Sequence, residues 1–174
     1  MPTSDSASLQ RLLDRAALQE LSGQYMRGLD RRDAALLRSL FHGDATTHYG
    51  AFSGGPDEFV AYAMGALSTH EANQHLVGQI NLTFSPDGAT GEGEVYFHAF
   101  HRLARDGVRT DMVISGRYVD RYAFRDGRWG FTHRTEIVDW ATTGPTVDAY
   151  MPARPHLVVG RPGPDDLSYR IREA

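Results

Sequence analysis

The sequence predicts an α+β fold in which three N-terminal helices pack on a curved, mostly antiparallel sheet. Apolar residues recur every three to four positions in the first part of the chain, as in amphipathic helices. After Thr69 the spacing changes to every second residue, as in half-buried strands. Helices followed by a long meander are typical of the α+β class. We expect a cone-shaped sheet with a cavity beneath the helices, where small apolar ligands bind.

Three helices are predicted. The first runs from about Ser8 to Leu29, and its repeating apolar positions are Leu9, Leu12, Leu13, Ala16, Ala17, Leu21, Tyr25 and Leu29. The second, shorter helix covers residues 34–41. Pro56 suits the first position of the third helix, which is marked by Phe59, Tyr62, Ala63, Ala66 and Leu67.

A short strand is predicted from Asp44 to Tyr49, and four more follow the third helix. Those four cover residues 80–84, 92–103, 109–124 and 129–140. The Asp-Gly pairs at 106–107 and 126–127 indicate tight hairpin turns, because glycine tolerates the positive φ that such turns need. Consecutive strands joined in this way predict an antiparallel meander.

Residues 1–174 are expected to form one domain with a core over about residues 8–141. From Thr142 onward the chain carries most of its prolines and little periodicity. We expect this segment, residues 142–174, to be an extended tail on the surface or on a neighbouring subunit.

Composition narrows the classes of function. The net charge of -4, with acids and bases interspersed, argues against a nucleic acid or an anionic membrane surface as partner. The chain has no cysteine, so disulfides, thiolate metal sites and cysteine nucleophiles are excluded. No apolar run approaches a membrane span, and the first residues lack the pattern of a signal peptide, so a cytoplasmic location is expected.

His75 and Asp30 are the leading candidates for chemistry. A histidine at the start of a strand can exchange a proton near neutral pH if a carboxylate orients its ring. Asp30, at the end of the first helix, is the candidate partner. Alternatively, Asp30 and Asp33 form the N-terminal cap of the next helix, and His75 is a half-buried histidine bonded to backbone.

The sequence gives weaker indications of a catalytic or binding role for the other polar residues. His98 and His101 lie three apart on one predicted strand and so face opposite sides, which argues against a shared metal ion. Arg134, if it faces inward, needs an acidic or ligand partner. Tyr25 either donates a hydrogen bond to substrate or packs in the core. The chain lacks a GxSxG elbow, a phosphate loop and a GxGxxG motif.

Several segments resemble SnoaL-like proteins of the NTF2-like superfamily. They are Asp14–Leu21, Tyr25, Leu29–Asp33, His75, Asn81–Leu82, Gly116–Tyr122, Asp126–Trp129 and Arg134. The resemblance covers about residues 8–141 and implies the cone-shaped NTF2-like barrel. Within the superfamily, the chain resembles gamma-hexachlorocyclohexane dehydrochlorinase, bile acid 7-alpha-dehydratase and scytalone dehydratase. These are cofactor-free lyases with a histidine base paired to an aspartate.

The resemblance implies roles for five residues. His75 and Asp30 would be the base and its partner, and Arg134 the site arginine of the dehydrochlorinase. Tyr25 stands where the bile acid enzyme has a tyrosine, and His98 where scytalone dehydratase has a histidine. This mixture favours an oxygen leaving group or a carbonyl over halide release.

The predicted function is a cofactor-free elimination or isomerisation on a small, cyclic, largely uncharged substrate. His75 would remove a proton from carbon, while Tyr25 and His98 polarise a carbonyl or protonate the leaving hydroxyl. The pocket walls would be Met26, Tyr49, Tyr96, Val138 and Trp140. The alternative is a non-catalytic ligand-binding or assembly module, like the β subunit of ring-hydroxylating dioxygenases.

The sequence also predicts self-association. Val95, Phe97 and Ala99 share one face of their strand, which is interpreted as the outer face of the sheet. A monomer would leave these apolar residues in water. We expect a homotrimer by resemblance, with a homodimer as the alternative.

Overall fold

The structure is a computed structural model and describes residues 4–105 and 107–170. The helices are α1 (Ser4–Asp30), α2 (Ala34–Ser39), α3 (Pro56–Ser68) and the short α4 (Leu167–Arg170). The strands are β1 (Phe41–Tyr49), β2 (Phe52–Gly54), β3 (His70–Phe84), β4 (Thr90–Arg105), β5 (Val108–Arg125) and β6 (Arg128–Pro145). The predicted α+β class and the three N-terminal helices are confirmed. None of the helices formed by the described residues is both long and apolar enough to cross a membrane.

The six strands form one mixed sheet in the order β2-β1-β6-β5-β4-β3. All neighbours are antiparallel except β1 and β6, which run parallel. The strands β2 and β3 are the two edges, so this mostly antiparallel sheet is not closed. The strands β3–β6 are the long ones, with 15 to 18 residues each, and residues 138–143 near the end of β6 are exposed.

The core lies between the helices and the inner face of the sheet. Val95, Phe97 and Ala99 are at most 5% exposed and pack in this core, so their predicted position on the outer face is wrong. The physical reason is that these are the apolar positions of β4, and the helices cover them. The apolar residues in the N-terminal half of α1 are less buried than their spacing predicts. Leu9, Leu12 and Leu13 are all more than half exposed.

Breaks in register bend the long strands. Gly116 pairs with Val138, but the preceding Ser115 pairs with Trp140, so β6 carries one extra residue there. A Cβ added to Gly116 would lie 2.0 Å from the carbonyl oxygen of Ile137, so the strands approach too closely for any other residue. This bulge reverses which side chains of β6 face inward beyond Val138.

The C-terminal segment packs on its own chain. The amide of Gly163 donates to the carbonyl of Arg31 at 2.6 Å, and Arg31 Nη1 donates to Asp166 Oδ2 at 2.7 Å. Tyr169 Oη donates to Asp33 Oδ2 at 3.0 Å. The segment therefore lies against the turn that follows α1, next to Asp30.

Candidate active site

Asp30 and His75 form a close pair on the inner side of the sheet. His75 Nδ1 lies 2.7 Å from Asp30 Oδ1, and the His75 amide donates to both carboxylate oxygens at 3.1 Å. The side chain of His75 is only 6% exposed and that of Asp30 only 13%. Since a carboxylate only accepts hydrogen bonds, Nδ1 carries a proton, and in the neutral form of the ring Nε2 keeps a lone pair. No described residue is hydrogen-bonded to that Nε2 atom.

The position of Asp30 is unfavourable for the helix that carries it. It is the last residue of the 27-residue α1, where the helix dipole disfavours a negative charge. The neighbouring Asp33 caps α2 instead, because its Oδ1 accepts from the Leu36 amide at 2.9 Å. Asp30 therefore does not cap α2, and its carboxylate accepts hydrogen bonds from His75 instead.

A second histidine lies against the first. The rings of His101 and His75 are 5.1 Å apart, and the rings of His101 and His70 are 4.9 Å apart. Asn73 Oδ1 is 2.9 Å from His101 Nδ1 and 2.7 Å from His70 Nδ1. Burial, with smaller contributions from the charges of His75 and His70, lowers the pKa of His101 to about 3. His101 is therefore a neutral ring whose Nε2 can accept a hydrogen bond.

Glu136 is a second carboxyl group on which the charge of His75 acts. It lies on the inner face of β6, in register with Tyr118 of β5. Burial raises its pKa, while the nearby charges of His75 and Arg134 partly oppose that rise. Its carboxyl group is not hydrogen-bonded to any residue that the structure describes. Such a group can stay protonated at a pH where ordinary glutamates are ionised.

Tyr25 is fully buried beside the site. Its hydroxyl lies 2.5 Å from the hydroxyl of Tyr49, and burial raises the pKa of Tyr25 to about 12. Tyr25 therefore stays neutral and acts only through its hydrogen bond and its ring. Met26, the next residue of α1, is also buried at 4% exposure.

Arg134 faces inward and has an acidic partner. Its Nε and Nη2 each donate to Asp120 at 2.7 Å, and neither side chain is exposed. The guanidinium also lies 4.0 Å from the ring centre of Tyr25 and 4.1 Å from that of Tyr118. The rings of Tyr25 and Tyr118 pack against the guanidinium group of Arg134. Arg134 therefore supports the position of Tyr25 and does not line a cavity.

Three predicted site residues lie on the other face of the sheet. His98 Nδ1 is bonded to Ser115 Oγ at 2.7 Å, on the outer face, and Tyr96 shares that side of β4. Trp140 is 52% exposed, with its ring 6.0 Å from that of His98. The helices cover the opposite face of β4, and the bulge in β6 turns Trp140 outward. The predicted inward positions of His98, Tyr96 and Trp140 are therefore wrong.

Beyond Glu136, residues 138–143 of β6 are exposed. Val138, in register with Gly116 on the inner face, is 50% exposed. A cavity of about 430 Å³ lies next to His101 and is lined by Thr69, Leu103, Ala104, Thr110, Met112 and Thr143. Its size is within the range of small-molecule sites. A second cavity, of about 210 Å³, is lined by Asp30, Asn73 and the C-terminal segment around Gly160.

Sequence reasoning missed His101 and Glu136 as site residues. The parity of β4 could have identified His101, because it shares the face of Val95, Phe97 and Ala99. Glu136 shares the face of Arg134, yet nothing in the sequence showed that its carboxyl group has no partner. Among the described histidine and acidic residues, no group of three or more is arranged to hold a metal ion.

Comparisons with known proteins identify the family. The model of the SnoaL-like domain matches residues 10–135. The hexachlorocyclohexane dehydrochlorinase LinA type 2 is 24% identical, with a TM-score of 0.73 over 80% of this chain and 95% of that one. A putative scytalone dehydratase from Novosphingobium aromaticivorans is 21% identical, with a TM-score of 0.70 over 89% of this chain and 96% of that one.

A third solved structure adds a further relative from another bacterium. The LinA-type3 dehydrochlorinase from Novosphingobium barchaimii is 22% identical, with a TM-score of 0.71 over 87% of this chain and 99% of that one. At these identities the likeness shows the fold. A search of curated protein sequences found no match. Because the family model spans more than half of the sequence, the chain belongs to the SnoaL-like family.

Proposed function

We propose that the protein is a cofactor-independent lyase or isomerase that removes a proton from carbon with His75. One observation carries this proposal: His75 Nδ1 is bonded to Asp30 at 2.7 Å, while Nε2 keeps a lone pair and has no partner among the described residues. A buried imidazole oriented by a carboxylate is suited to act as a general base. The solved LinA and scytalone dehydratase-like structures, whose names denote eliminations, support the same reaction class.

In the proposed reaction, His75 Nε2 takes the proton from a carbon next to a carbonyl group. The imidazolium that forms is stabilised by the Asp30 carboxylate, which keeps its own negative charge. General base catalysis of this kind contributes about 10²–10⁴-fold to the rate. The neutral His101 ring, next to His75, is in position to accept a hydrogen bond from a substrate hydroxyl.

Tyr25 and Arg134 support the site in different ways. The hydrogen-bonded Tyr25–Tyr49 pair provides a neutral phenol as a donor for a substrate oxygen. Arg134, bonded to Asp120 and stacked under Tyr25, is a positioning residue. Met26 and Val138 supply apolar surface at the site.

The substrate class follows from the surroundings of His75. The cavity of about 430 Å³, which borders Met112, the neighbour of His101 across β4 and β5, is lined mainly by apolar and hydroxyl side chains. We therefore propose a small, cyclic, largely uncharged ketone as substrate.

We also propose that the chain forms a homotrimer, with a homodimer as the alternative. Leu76, Val119 and Trp140 are each more than 40% exposed on the outer face of the sheet. Association through this face would remove them from water. Light scattering of the full chain tests this proposal, since a monomeric mass at micromolar concentration would reject it.

The test of the proposed function is the dehydration of 3-hydroxycyclohexanone to cyclohex-2-enone, followed by ultraviolet absorbance. The wild-type protein should accelerate the reaction, and His75→Gln should lose about 10²-fold or more. His156→Gln, which changes an exposed histidine of the C-terminal segment, is the control. Full turnover by His75→Gln rejects the lyase, and a change in probe affinity alone favours a ligand-binding module.

A further inference from the structure

Asn73 of β3 joins two imidazole rings beside the base. Its Oδ1 lies 2.9 Å from His101 Nδ1 and 2.7 Å from His70 Nδ1. The reaction described above gives this residue no role. We propose that Asn73 is a positioning residue that fixes His101 as a hydrogen-bond acceptor, so that the site selects cyclic ketones that carry a hydroxyl group. The inference rests on the proposed function, because it names the substrate class of the same site.

The position of Asn73 depends on a bulge in β3. Between His70 and Ala72, β3 contains one residue more than the strand β4 beside it. On a regular strand, residues three apart face opposite sides of the sheet. Because of the bulge, His70 and Asn73 both face inward, and Asn73 is directly in register with His101. The two rings therefore meet at one amide group, two residues before His75.

The amide oxygen of Asn73 determines where the ring protons lie. Since an amide oxygen only accepts hydrogen bonds, His70 and His101 both carry a proton on Nδ1. In a neutral ring the other nitrogen, Nε2, then keeps its lone pair. None of the described residues is hydrogen-bonded to Nε2 of His101. This nitrogen is therefore an acceptor without a partner, next to the base.

His101 and His75 together present two such acceptors. Their ring centres are 5.1 Å apart, and the ring planes are inclined at 70°. Nδ1 of His75 is bonded to Asp30, so Nε2 of the neutral His75 ring also keeps its lone pair. Two buried acceptors without a donor cost free energy until a ligand supplies one. A ligand that offers a C–H to His75 and an O–H to His101 satisfies both nitrogens.

The amide of Asn73 adds no charge to this cluster. The other titratable or charged groups around the two rings are His75 of β3, Asp30 of α1 and Arg32 of the turn after α1. From β5, the residue in register with His101 is the uncharged Met112. Burial is the main reason why the pKa of His101 is lowered to about 3. A carboxylate in place of the amide would raise the pKa of both rings, and a protonated His101 would donate from Nε2.

The experiment compares two probes, 4-hydroxycyclohexanone and 4-methoxycyclohexanone. Both have exchangeable protons next to the carbonyl, and NMR follows the exchange of these protons in D₂O. A substituent at position 4 is not eliminated, because it is not on the carbon next to the one that loses the proton. Only the hydroxy probe can donate a hydrogen bond. The readout is the ratio of the two kcat/KM values, in which the titration of His75 cancels because it affects both probes equally.

The variants separate the acceptor from the shape of the side chain. Asn73→Leu removes the acceptor at similar size, and Asn73→Asp keeps an acceptor but adds a charge. The matched control is Asn81→Leu, since Asn81 of the same strand is bonded to Glu94 on the exposed face. Circular dichroism checks that each variant is folded.

The inference predicts a preference of about 10-fold for the hydroxy probe in the wild type and in Asn81→Leu, and a ratio near one in Asn73→Leu. Asn73→Asp should keep the preference in alkaline solution and lose it in mildly acidic solution, where the wild type still shows it. A wild-type ratio near one, or equal slowing of both probes by Asn73→Leu, overturns the inference. If His75→Gln then still loses both exchange reactions, the proposed function stands.

Failure of the proposed function has a different signature. If His75→Gln exchanges both probes as fast as the wild type, or if the wild type accelerates neither, the base is not His75 and the substrate class fails with it.

Nitrogen-15 NMR of the histidine rings provides a readout that does not depend on turnover. Near neutral pH, the wild-type His101 should show a proton on Nδ1 and none on Nε2, with its signals assigned by their loss in His101→Gln. Asn81→Leu should keep this pattern, and Asn73→Leu should lose it. A proton on Nε2 of the wild-type His101 overturns the inference whatever the exchange rates are.

Discussion

Asp30 receives three hydrogen bonds from a single residue, His75. The ring Nδ1 lies 2.7 Å from Oδ1, and the backbone amide lies 3.1 Å from each carboxylate oxygen. This arrangement fixes the end of α1 to the start of β3, although the two residues are 45 positions apart. It compensates for a negative charge at the unfavourable end of the helix dipole.

Removing the charge of Asp30 should reduce the rate more than the affinity. Asp30→Asn keeps the size and one acceptor but cannot stabilise the imidazolium, which forms only during the reaction. We expect kcat for 3-hydroxycyclohexanone to fall about 10²–10⁴-fold, with KM within a few-fold. Asp33→Asn is the matched control, because asparagine caps α2 as well as aspartate does. A normal kcat in Asp30→Asn would contradict the proposed role of the charge.

The Arg134–Asp120 pair should be a large contributor to stability. Arg134→Met leaves the Asp120 carboxylate buried without its partner, and we expect a loss of about 3–5 kcal/mol in the free energy of unfolding. Urea denaturation measures the change. Arg121→Met is the control, since Arg121 and Glu92 form an ion pair that is 70% and 72% exposed and is worth less than about 1 kcal/mol. An equal loss in the free energy of unfolding in the two variants would contradict a large contribution from the buried pair.

His101 should make the folded protein sensitive to acid. Burial lowers its pKa from 6.5 to about 3, so between these values the unfolded chain binds a proton that the folded chain does not. Stability should therefore fall as the pH falls below 6.5. Burial also lowers the pKa of His70, which acts in the same direction.

The variant His101→Gln isolates this contribution. We expect its stability to depend less steeply on pH, by about 1.4 kcal/mol per pH unit for one proton. Urea denaturation at several pH values, with the protein concentration held constant, measures the slope. An unchanged slope would show that His101 binds its proton equally well in the folded state.

The C-terminal segment should depend on Asp166 for its docking. The Asp166 carboxylate accepts from Arg31, Ser168 and the Arg161 amide, and these bonds hold its pKa well below the ordinary value, with the Ser168 hydroxyl as the main cause. Asp166→Asn should speed amide hydrogen exchange about tenfold across residues 158–169. The neighbouring Asp165 is exposed, so Asp165→Asn is a matched control. Equal exchange in both variants would show that the docking does not depend on Asp166.

The class of fold could be predicted from the sequence because the spacing of apolar residues follows which side of a helix or strand is buried. The long helix, the third helix starting at Pro56 and the hairpin at Asp126–Gly127 all follow from local residue preferences. The strand β2 and the parallel pairing of β1 with β6 do not, because they depend on contacts between distant segments.

The site was predictable only in part. Residue types and positions indicated Asp30 as one possible partner of His75, and the family resemblance strengthened this prediction, since the two are far apart in sequence. The resemblance points to His98, whereas the alternation of apolar residues along β4 points to His101. The outward turn of Trp140 results from a bulge, and alternation within one strand does not reveal a bulge.

The central claim is that His75 Nε2 removes a proton from carbon, and deuterium exchange tests it without a leaving group. Cyclohexanone is incubated in D₂O, and NMR follows loss of the protons next to the carbonyl. The wild type and the control His156→Gln should both accelerate this exchange, and His75→Gln should lose about 10²-fold or more. Exchange by His75→Gln as fast as by the wild type would contradict the claim.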